Sequence, residues 1–481
     1  MAEPMNVLFM SAELAPMAKV GGLGDVAADL PPALRRLGVD VRMWVPLHAS
    51  IDRDGLGLRL AGEIDVPCRP RMGRAQVWRS EVSGLPVYWV DGSPIQAMQG
   101  IYSNPAKEAE KYIFWSLAAL HIGQIGGWQP DILHANDWQC GAAVVSMARY
   151  GSEGSDAKRA RSLMTVHNLP FMGKGAEAEL EACGVAPVSD AGLPSWAEHV
   201  PLPMGLATAD WISTVSPTYA EEIQTPAYGH GLDGLLRERR SRLRGIINGI
   251  DPVRWNPASD SALPIGFDVD SLESRAQIKR GLQSELGLAV DERLPMIGMV
   301  GRLDRQKGVD QALTALGELG GRPWQWVLLG TGDPAIEDQA RSFATRYTER
   351  ARAELRFDST LARRIYAGVD MLLVPSRYEP CGLSQMIAMR YGAVPVVRST
   401  GGLKDTVSDV DSGGQGTGFV YEEDSPQALA TAINRALDAY ADPQAWRSLQ
   451  QTCMRVDNSW YVSAEAYFDL YDEMLQDDKR Q

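Results

Sequence analysis

Val7-Leu8-Phe9-Met10-Ser11 leads into Lys19-Val20-Gly21-Gly22-Leu23-Gly24, after which Asp25 opens an apolar pattern through Val26, Leu30, Leu34 and Leu37 that stops at Gly38, and Val41 to Val45 follows at once. The first and last runs are short and rich in strand formers. The middle one repeats at helical spacing and ends on a glycine, as a helix does. Strand, glycine loop, helix and strand in immediate succession are the βαβ signature of a parallel, doubly wound sheet.

The same grammar returns in the second half. Met296 to Val300 is predicted as a strand ending in Gly301-Arg302-Leu303, Trp326 to Leu329 as one ending in Gly330-Thr331-Gly332, and Met371 to Val374 as one ending in Pro375-Ser376. Each precedes a helix-like stretch. Two α/β sheets in tandem are expected, since a single sheet of this size would outgrow one core. Ile247-Asn248-Gly249-Ile250-Asp251-Pro252, rich in turn formers, separates them. The expected division is residues 1–250, residues 251–455, and a C-terminal helix over 456–481 that packs back toward the first domain. Aromatic residues from Trp446 to Tyr471 stand mostly at helical spacing, which reads as helices covering a core.

The chain has 481 residues, with 47 basic against 61 acidic side chains and a formal charge of −14. A balance this acidic leaves no broad basic face for a phosphate backbone, so nucleic acid is not an expected partner. Cys68, Cys140, Cys183, Cys381 and Cys453 are odd in number, widely spaced and without a C-x-x-C pair, so neither a disulfide framework nor a zinc site is expected. The N-terminal residues lack the basic region of a secretion signal, and no run nears the roughly 20 apolar residues that span a bilayer. A soluble, cytoplasmic protein without membrane partners is the expectation.

In parallel α/β domains, ligands sit outside the carboxyl ends of the strands. The polar residues at those positions are Lys19 with its glycines, His134, Asp137 and Trp138, then His167 and Asn168. From the second half come Arg302 and Lys307, Gly330 to Gly332, and Glu379 with Gly382. Two cations beside a glycine turn suit an oligophosphate. Gly21 and Gly22 would let the backbone approach an anion, but no Gly-Lys-Ser/Thr closes a P-loop. Gly382 and Leu383 precede an apolar helical pattern, where a helix N-terminus would favour phosphate. Glu379 beside such an anion needs another occupant, and sugar hydroxyls would suit. The histidine spacings carry no metal signal, and no cofactor is expected.

Taken in order, K-V-G-G-L at 19–23, H-A-N-D-W at 134–138, T-V-H-N-L at 165–169, S-T-V-S-P-T-Y-A at 213–220, N-G-I-D at 248–251, G-R-L at 301–303 with Q-K-G at 306–308, E-P-C-G-L at 379–383 and T-G-G-L at 400–403 closely resemble the bacterial glycogen synthases and plant starch synthases. The resemblance runs over nearly the whole chain. It implies the GT-B architecture, two Rossmann-like domains facing a cleft, and retaining transfer of glucose from ADP-glucose to the non-reducing end of an α-1,4-glucan. It implies that Arg302 and Lys307 grip the diphosphate and that Glu379 orients the glucosyl unit. His167, Asp137 and Asn248 would line the sugar and acceptor side. Lys19, Gly21, Gly22, Asp25, Asn168, Gly330, Gly332, Gly382, Leu383, Ser384, Thr400, Gly401 and Gly402 would bind substrate, with Phe357 packing on the base. Glu13, His134 and Trp138 are expected on the acceptor side.

Some positions depart from the family pattern. Asn136 and Met172 stand where His and Gln are common, the stretch from about Gly175 to Gly205 is short, and Val200 to Leu206 lacks a frequent lysine. Ile387 in place of a second glutamate argues against the E-x7-E glycosyltransferases. Three alternatives stay open: a related enzyme using UDP-glucose or a sugar-phosphate acceptor, a nucleotide-dependent dehydrogenase, which would lack its G-x-G-x-x-G, and a non-catalytic glucan-binding scaffold. Oligomeric state is not legible.

Overall fold

The structure is a computed structural model and describes residues 5–68, 72–150 and 160–477. The expectations for the N-terminal tetrapeptide and for the last four residues of the closing helix lie outside the described residues. The chain divides into two compact units, one of Met1–Gly249 with Trp460–Gln481, the other of Ile250–Ser459.

The first unit holds a nine-stranded sheet. Its strands are β1 (Asn6–Met10), β2 (Asp40–Pro46), β3 (Arg59–Val66), β4 (Gly73–Val82), β5 (Leu85–Asp91), β6 (Ile132–Asn136), β7 (Arg161–Val166), β8 (Trp211–Thr214) and β9 (Leu243–Gly245). They run in the order 3-4-5-2-1-6-7-8-9. The predicted β1, helix and β2 form the βαβ unit, with the helix over Gly22–Arg36 and Val7 paired in parallel to Val41. The expected doubly wound parallel sheet is present, and one correction concerns its edge, where β4 alone runs antiparallel, to β3 and β5. The cause is local. Ser83 and Gly84, at φ 51° and 78°, make a two-residue hairpin turn of the hand that matches strand twist, so β5 must reverse direction.

The core of this unit packs Val26, Leu30 and Leu34 of the helix and Val7 and Phe9 of β1 against Trp460, Tyr467, Leu470 and Tyr471 of the C-terminal helix Trp460–Asp477. That apolar seam is why the closing helix belongs to this unit. A second correction concerns the cysteines. Cys68 and Cys183 are disulfide-bonded across 115 residues, while Cys140, Cys381 and Cys453 are buried and outside any disulfide. The two partners meet only through tertiary structure, so spacing alone carried no sign of the pair.

The second unit is a six-stranded, wholly parallel sheet of β10 (Met296–Val300), β11 (Gln325–Leu329), β12 (Ala351–Glu354), β13 (Met371–Val374), β14 (Val394–Arg398) and β15 (Phe419–Tyr421). Its order, 12-11-10-13-14-15, is that of a dinucleotide-binding sheet. Outside the edge strand β12, nearly every strand residue is buried, as sheets covered on both faces require. Each sheet has a switch point where the chain, having built outward on one side of its first strand, crosses to the other: between β1 and β6 in the first unit and between β10 and β13 in the second. Ligands of open α/β sheets bind at that switch point. No helix among the described residues is long and apolar enough to cross a membrane.

Candidate active site

In the second unit the loops after β10 and β13 converge at the switch point. Asp304 accepts the Lys307 N–H at 3.0 Å, capping the short turn Arg305–Lys307 and so fixing where the lysine departs. Lys307 Nζ lies 2.6 Å from Glu379 Oε2, and the Ser376 hydroxyl donates to the same oxygen at 2.8 Å. Glu379 is 5% exposed. A buried carboxylate thus has a fixed cation and a fixed hydroxyl, which keeps it oriented. Arg302 is different, more than half exposed and 3.4 Å from Asp304.

The glycine loops are tied to the same place. Gly402 N–H donates to the Glu379 carbonyl at 3.0 Å, and a Cβ on Gly401, whose φ is 44°, would stand 2.0 Å from that carbonyl oxygen. Only glycine permits this approach. Thr400 is buried at the start of the helix Gly401–Thr406, and Leu383 precedes the helix Ser384–Arg390, with Gly382 at φ 76°. Gly330 follows β11, where a Cβ would meet the Gly301 carbonyl at 1.9 Å, so that loop presses on the one carrying Arg302. The Gly332 amide is already bound to Glu337. Phe357, after β12, is 87% exposed. An aromatic ring so open is short of a packing partner, as a base-stacking residue would be.

In the first unit the loop after β1 is built around Glu13. This buried carboxylate accepts the Val20 and Gly21 amides at 2.8 and 3.0 Å and the Tyr102 hydroxyl at 2.7 Å. It is the clamp that folds the glycine loop, with its oxygens engaged inside the protein. Lys19 pairs with Asp25 at 2.7 Å. A Cβ on Gly22 would meet nothing within 4 Å, which leaves open space above the loop.

Beside it, the loops after β6 and β7 interlock. Asp137, at φ 57°, accepts the His167 N–H at 2.7 Å. Burial pushes its carboxyl up to about 7, against the lowering effect of the His167 and Asn168 amides. His167 is held down to about 4 by burial and is neutral at pH 7. Its Nε2 lies 2.8 Å from Asn136 Oδ1. The side-chain oxygens of Asn168 and Asn248 are buried without a hydrogen-bond partner. Such orphaned acceptors are rare and call for a donor, and hydroxyl groups of a bound ligand would supply it.

Two residues expected on the acceptor side are placed otherwise. His134 is wholly buried in β6, with Nδ1 2.6 Å from the Tyr471 hydroxyl and Nε2 2.7 Å from Thr165 Oγ1, and burial holds it down to about 3. Both ring nitrogens are spent inside the core, so it ties the C-terminal helix to the sheet. Trp138 is buried edge-on against Tyr112 and packs under Gly173, where a Cβ would lie 2.4 Å from its ring. Sequence reasoning missed Ser376, Asp304 and Tyr102 as supports of Glu379, Lys307 and Glu13. Ser376 and Asp304 stand just past strand ends, which was the available signal. Tyr102 gave none.

Residues 6–238 match the family described as starch synthase catalytic domain, and residues 287–450 match glycosyl transferases group 1. The chain is 41% identical to a glycogen synthase of Syntrophotalea carbinolica over 98% of this chain and 99% of that protein. It is 42% identical to a glycogen synthase of Anaeromyxobacter dehalogenans over 97% and 99%. The catalytic domain of starch synthase IV from Arabidopsis thaliana, solved bound to ADP and acarbose, superposes with a TM-score of 0.89 at 33% identity, covering 98% of this chain and all of that one. With such identity over the full length and motifs in matching order, the chain belongs to the glycogen and starch synthase family of GT-B glycosyltransferases.

Proposed function

We propose that the protein transfers glucose from ADP-glucose to the non-reducing end of an α-1,4-glucan, with retention of configuration. The observation that carries this reading is the second unit's switch point, where Lys307, Glu379 and Ser376 form one bonded cluster next to Arg302. Arg302 and Lys307 hold the diphosphate, joined by the amides around Gly382 to Ser384. Glu379, kept rigid by its two partners, accepts hydroxyls of the glucosyl unit. Phe357 covers the base. Lys19, Gly21, Gly22 and Asp25 also bind substrate. His167, Asp137, Asn168 and Asn248 receive sugar hydroxyls.

Breaking the bond between glucose and diphosphate puts positive charge on the anomeric carbon and negative charge on the leaving group. Fixed cations and backbone amides aimed at that group lower the barrier, each such donor contributing about 2.7 to 4 kcal/mol. On the retained face, the departing phosphate oxygen takes the proton of the acceptor hydroxyl, so no protein base is needed. Isolation of a covalent glucosyl-enzyme would overturn that step. The decisive assay offers ADP-glucose and UDP-glucose separately, with and without glycogen primer, and follows nucleoside diphosphate release and chain extension. Primer-dependent extension from ADP-glucose is expected. Transfer only to a small sugar phosphate, or from UDP-glucose alone, would refute the proposal.

A further inference from the structure

Asn136 is buried at the end of β6, and its carboxamide bridges two groups of fixed character. Its Nδ2 lies 2.8 Å from the Met10 carbonyl oxygen, and its Oδ1 lies 2.8 Å from His167 Nε2. A main-chain carbonyl can only accept, so the atom facing Met10 must be the NH2 group. The oxygen therefore faces the histidine. An oxygen at hydrogen-bond distance from a neutral imidazole nitrogen requires the proton on that nitrogen. His167 is therefore in one tautomer, Nε2–H with a bare Nδ1.

We propose that Asn136 is a positioning residue for glucosyl transfer, locking His167 in the Nε2–H tautomer so that Nδ1 is presented as an acceptor to a sugar hydroxyl. The inference rests on the sugar-side role assigned to His167 above. It matters because a sugar hydroxyl can donate to a bare nitrogen, whereas a free imidazole would spread over two tautomers and offer the wrong one part of the time. The His167 main chain is held independently, through its amide on Asp137, so Asn136 governs the proton and the ring rather than the loop. The titratable neighbours of this cluster are Asp137, His134 two residues earlier on the same strand, Cys140 with its Sγ 3.3 Å from the Asn136 carbonyl oxygen, and Glu13 and Tyr102, which act on Asp137.

The test uses the full-length protein with 15N-labelled histidine, the His167 signals being assigned by their loss in His167→Gln. In the unmodified protein, two-bond 15N correlations should show Nε2 protonated and Nδ1 bare. Asn136→Ala should give mixed tautomers and lower kcat/KM for ADP-glucose about tenfold, the loss of roughly one buried hydrogen bond. Asn136→Asp places a carboxylate beside the ring and favours the imidazolium, so the rise of kcat/KM with pH should move to higher pH. Asn136→His can donate to Met10 with one nitrogen and accept from His167 with the other, and should restore both the tautomer and the rate. If Asn136→Ala does not fold, the Asp and His variants carry the test. An Nδ1–H tautomer in the unmodified protein, or an unmoved pH profile in Asn136→Asp, overturns the proposal. Absence of any transfer from ADP-glucose by the unmodified protein would instead defeat the functional reading, leaving the tautomer result standing.

Discussion

Replacing Lys307 by methionine keeps the aliphatic stem and removes the charge, which isolates the pair with Glu379. The side chains are 23% and 6% exposed and 2.6 Å apart. Stripping the partner from a fully buried ion costs about 3 to 5 kcal/mol, because the remaining charge is left without compensation. Here water reaches the lysine side, and the Ser376 hydroxyl stays on the carboxylate. The expected loss is therefore smaller, about 2 kcal/mol. Glu379→Gln leaves a lysine that can turn to solvent and should cost about half as much. The double variant lacks the stranded carboxylate and should resemble Glu379→Gln alone, giving a coupling of about 2 kcal/mol. For a unit of this size that corresponds to roughly 4 to 8 °C in the calorimetric melt of the second unit. Turnover should fall much further than stability, by about a hundredfold or more in kcat for Lys307→Met, since the cation proposed to face the leaving group is gone. Additive melting shifts across the cycle, or a kcat within tenfold of the parent, would show that the pair is not what organises the site.

Three further outcomes follow from other residues. Phe357→Ala should leave the melting temperature unchanged, because the ring is almost fully exposed, yet raise KM for ADP-glucose severalfold through lost stacking, while Phe357→Tyr stays near the parent; an unchanged KM removes Phe357 from the base site. Asn248→Ala removes a buried oxygen that has no partner, so stability should hold within about 0.5 kcal/mol while kcat/KM drops about tenfold, and a destabilised but fully active variant would contradict the ligand-acceptor role. His48 and His134 are held down to about 3 and His167 to about 4, so the unfolded chain binds protons there that the native chain refuses, and stability should fall as pH drops from about 6.5 toward 4. Asp137, raised to about 7, works in the opposite sense. Net uptake of about two protons on unfolding is expected across that window, and a flat melting temperature between pH 6.5 and 4.5 would rule it out.

Much of this was legible because strand ends and their loops are contiguous in sequence. β1, its glycine loop and helix, β10 and β13 could be read as runs of strand formers followed by glycine or proline, and the residues after them are where an α/β sheet binds ligands. That is why Arg302, Lys307, Glu379 and His167 could be placed just past strand ends from the sequence alone. What escaped depends on long-range pairing. The antiparallel edge of the first sheet turns on two residues, Ser83 and Gly84, whose positive φ is not visible in the run of apolar residues. The Cys68 and Cys183 bond joins segments 115 residues apart. His134 follows the same sequence pattern as His167, one strand earlier, yet lies two residues before its strand's end rather than one past it. That displacement moves it from a loop that can meet ligand to a core where Tyr471, more than 300 residues later, takes its ring nitrogen.

The paired charges around the switch points separate the cations by the freedom they keep. Lys307 and Glu379 are close, mostly buried and supported by Ser376, so exchanging either partner for a ligand would strand the other. Arg302 and Asp304 are 3.4 Å apart and both substantially exposed, an arrangement that contributes little and is easily redirected. Under the proposed function, a diphosphate entering this loop cluster meets a rigid lysine whose charge is shared with the carboxylate proposed to hold the sugar, and a guanidinium able to swing from aspartate to phosphate at small cost. The planar fork of Arg302 suits two phosphate oxygens at once, which the point charge of a lysine would not reproduce. Rigidity on the sugar side and adaptability on the phosphate side fit a reaction in which the sugar must hold its face while the phosphate leaves.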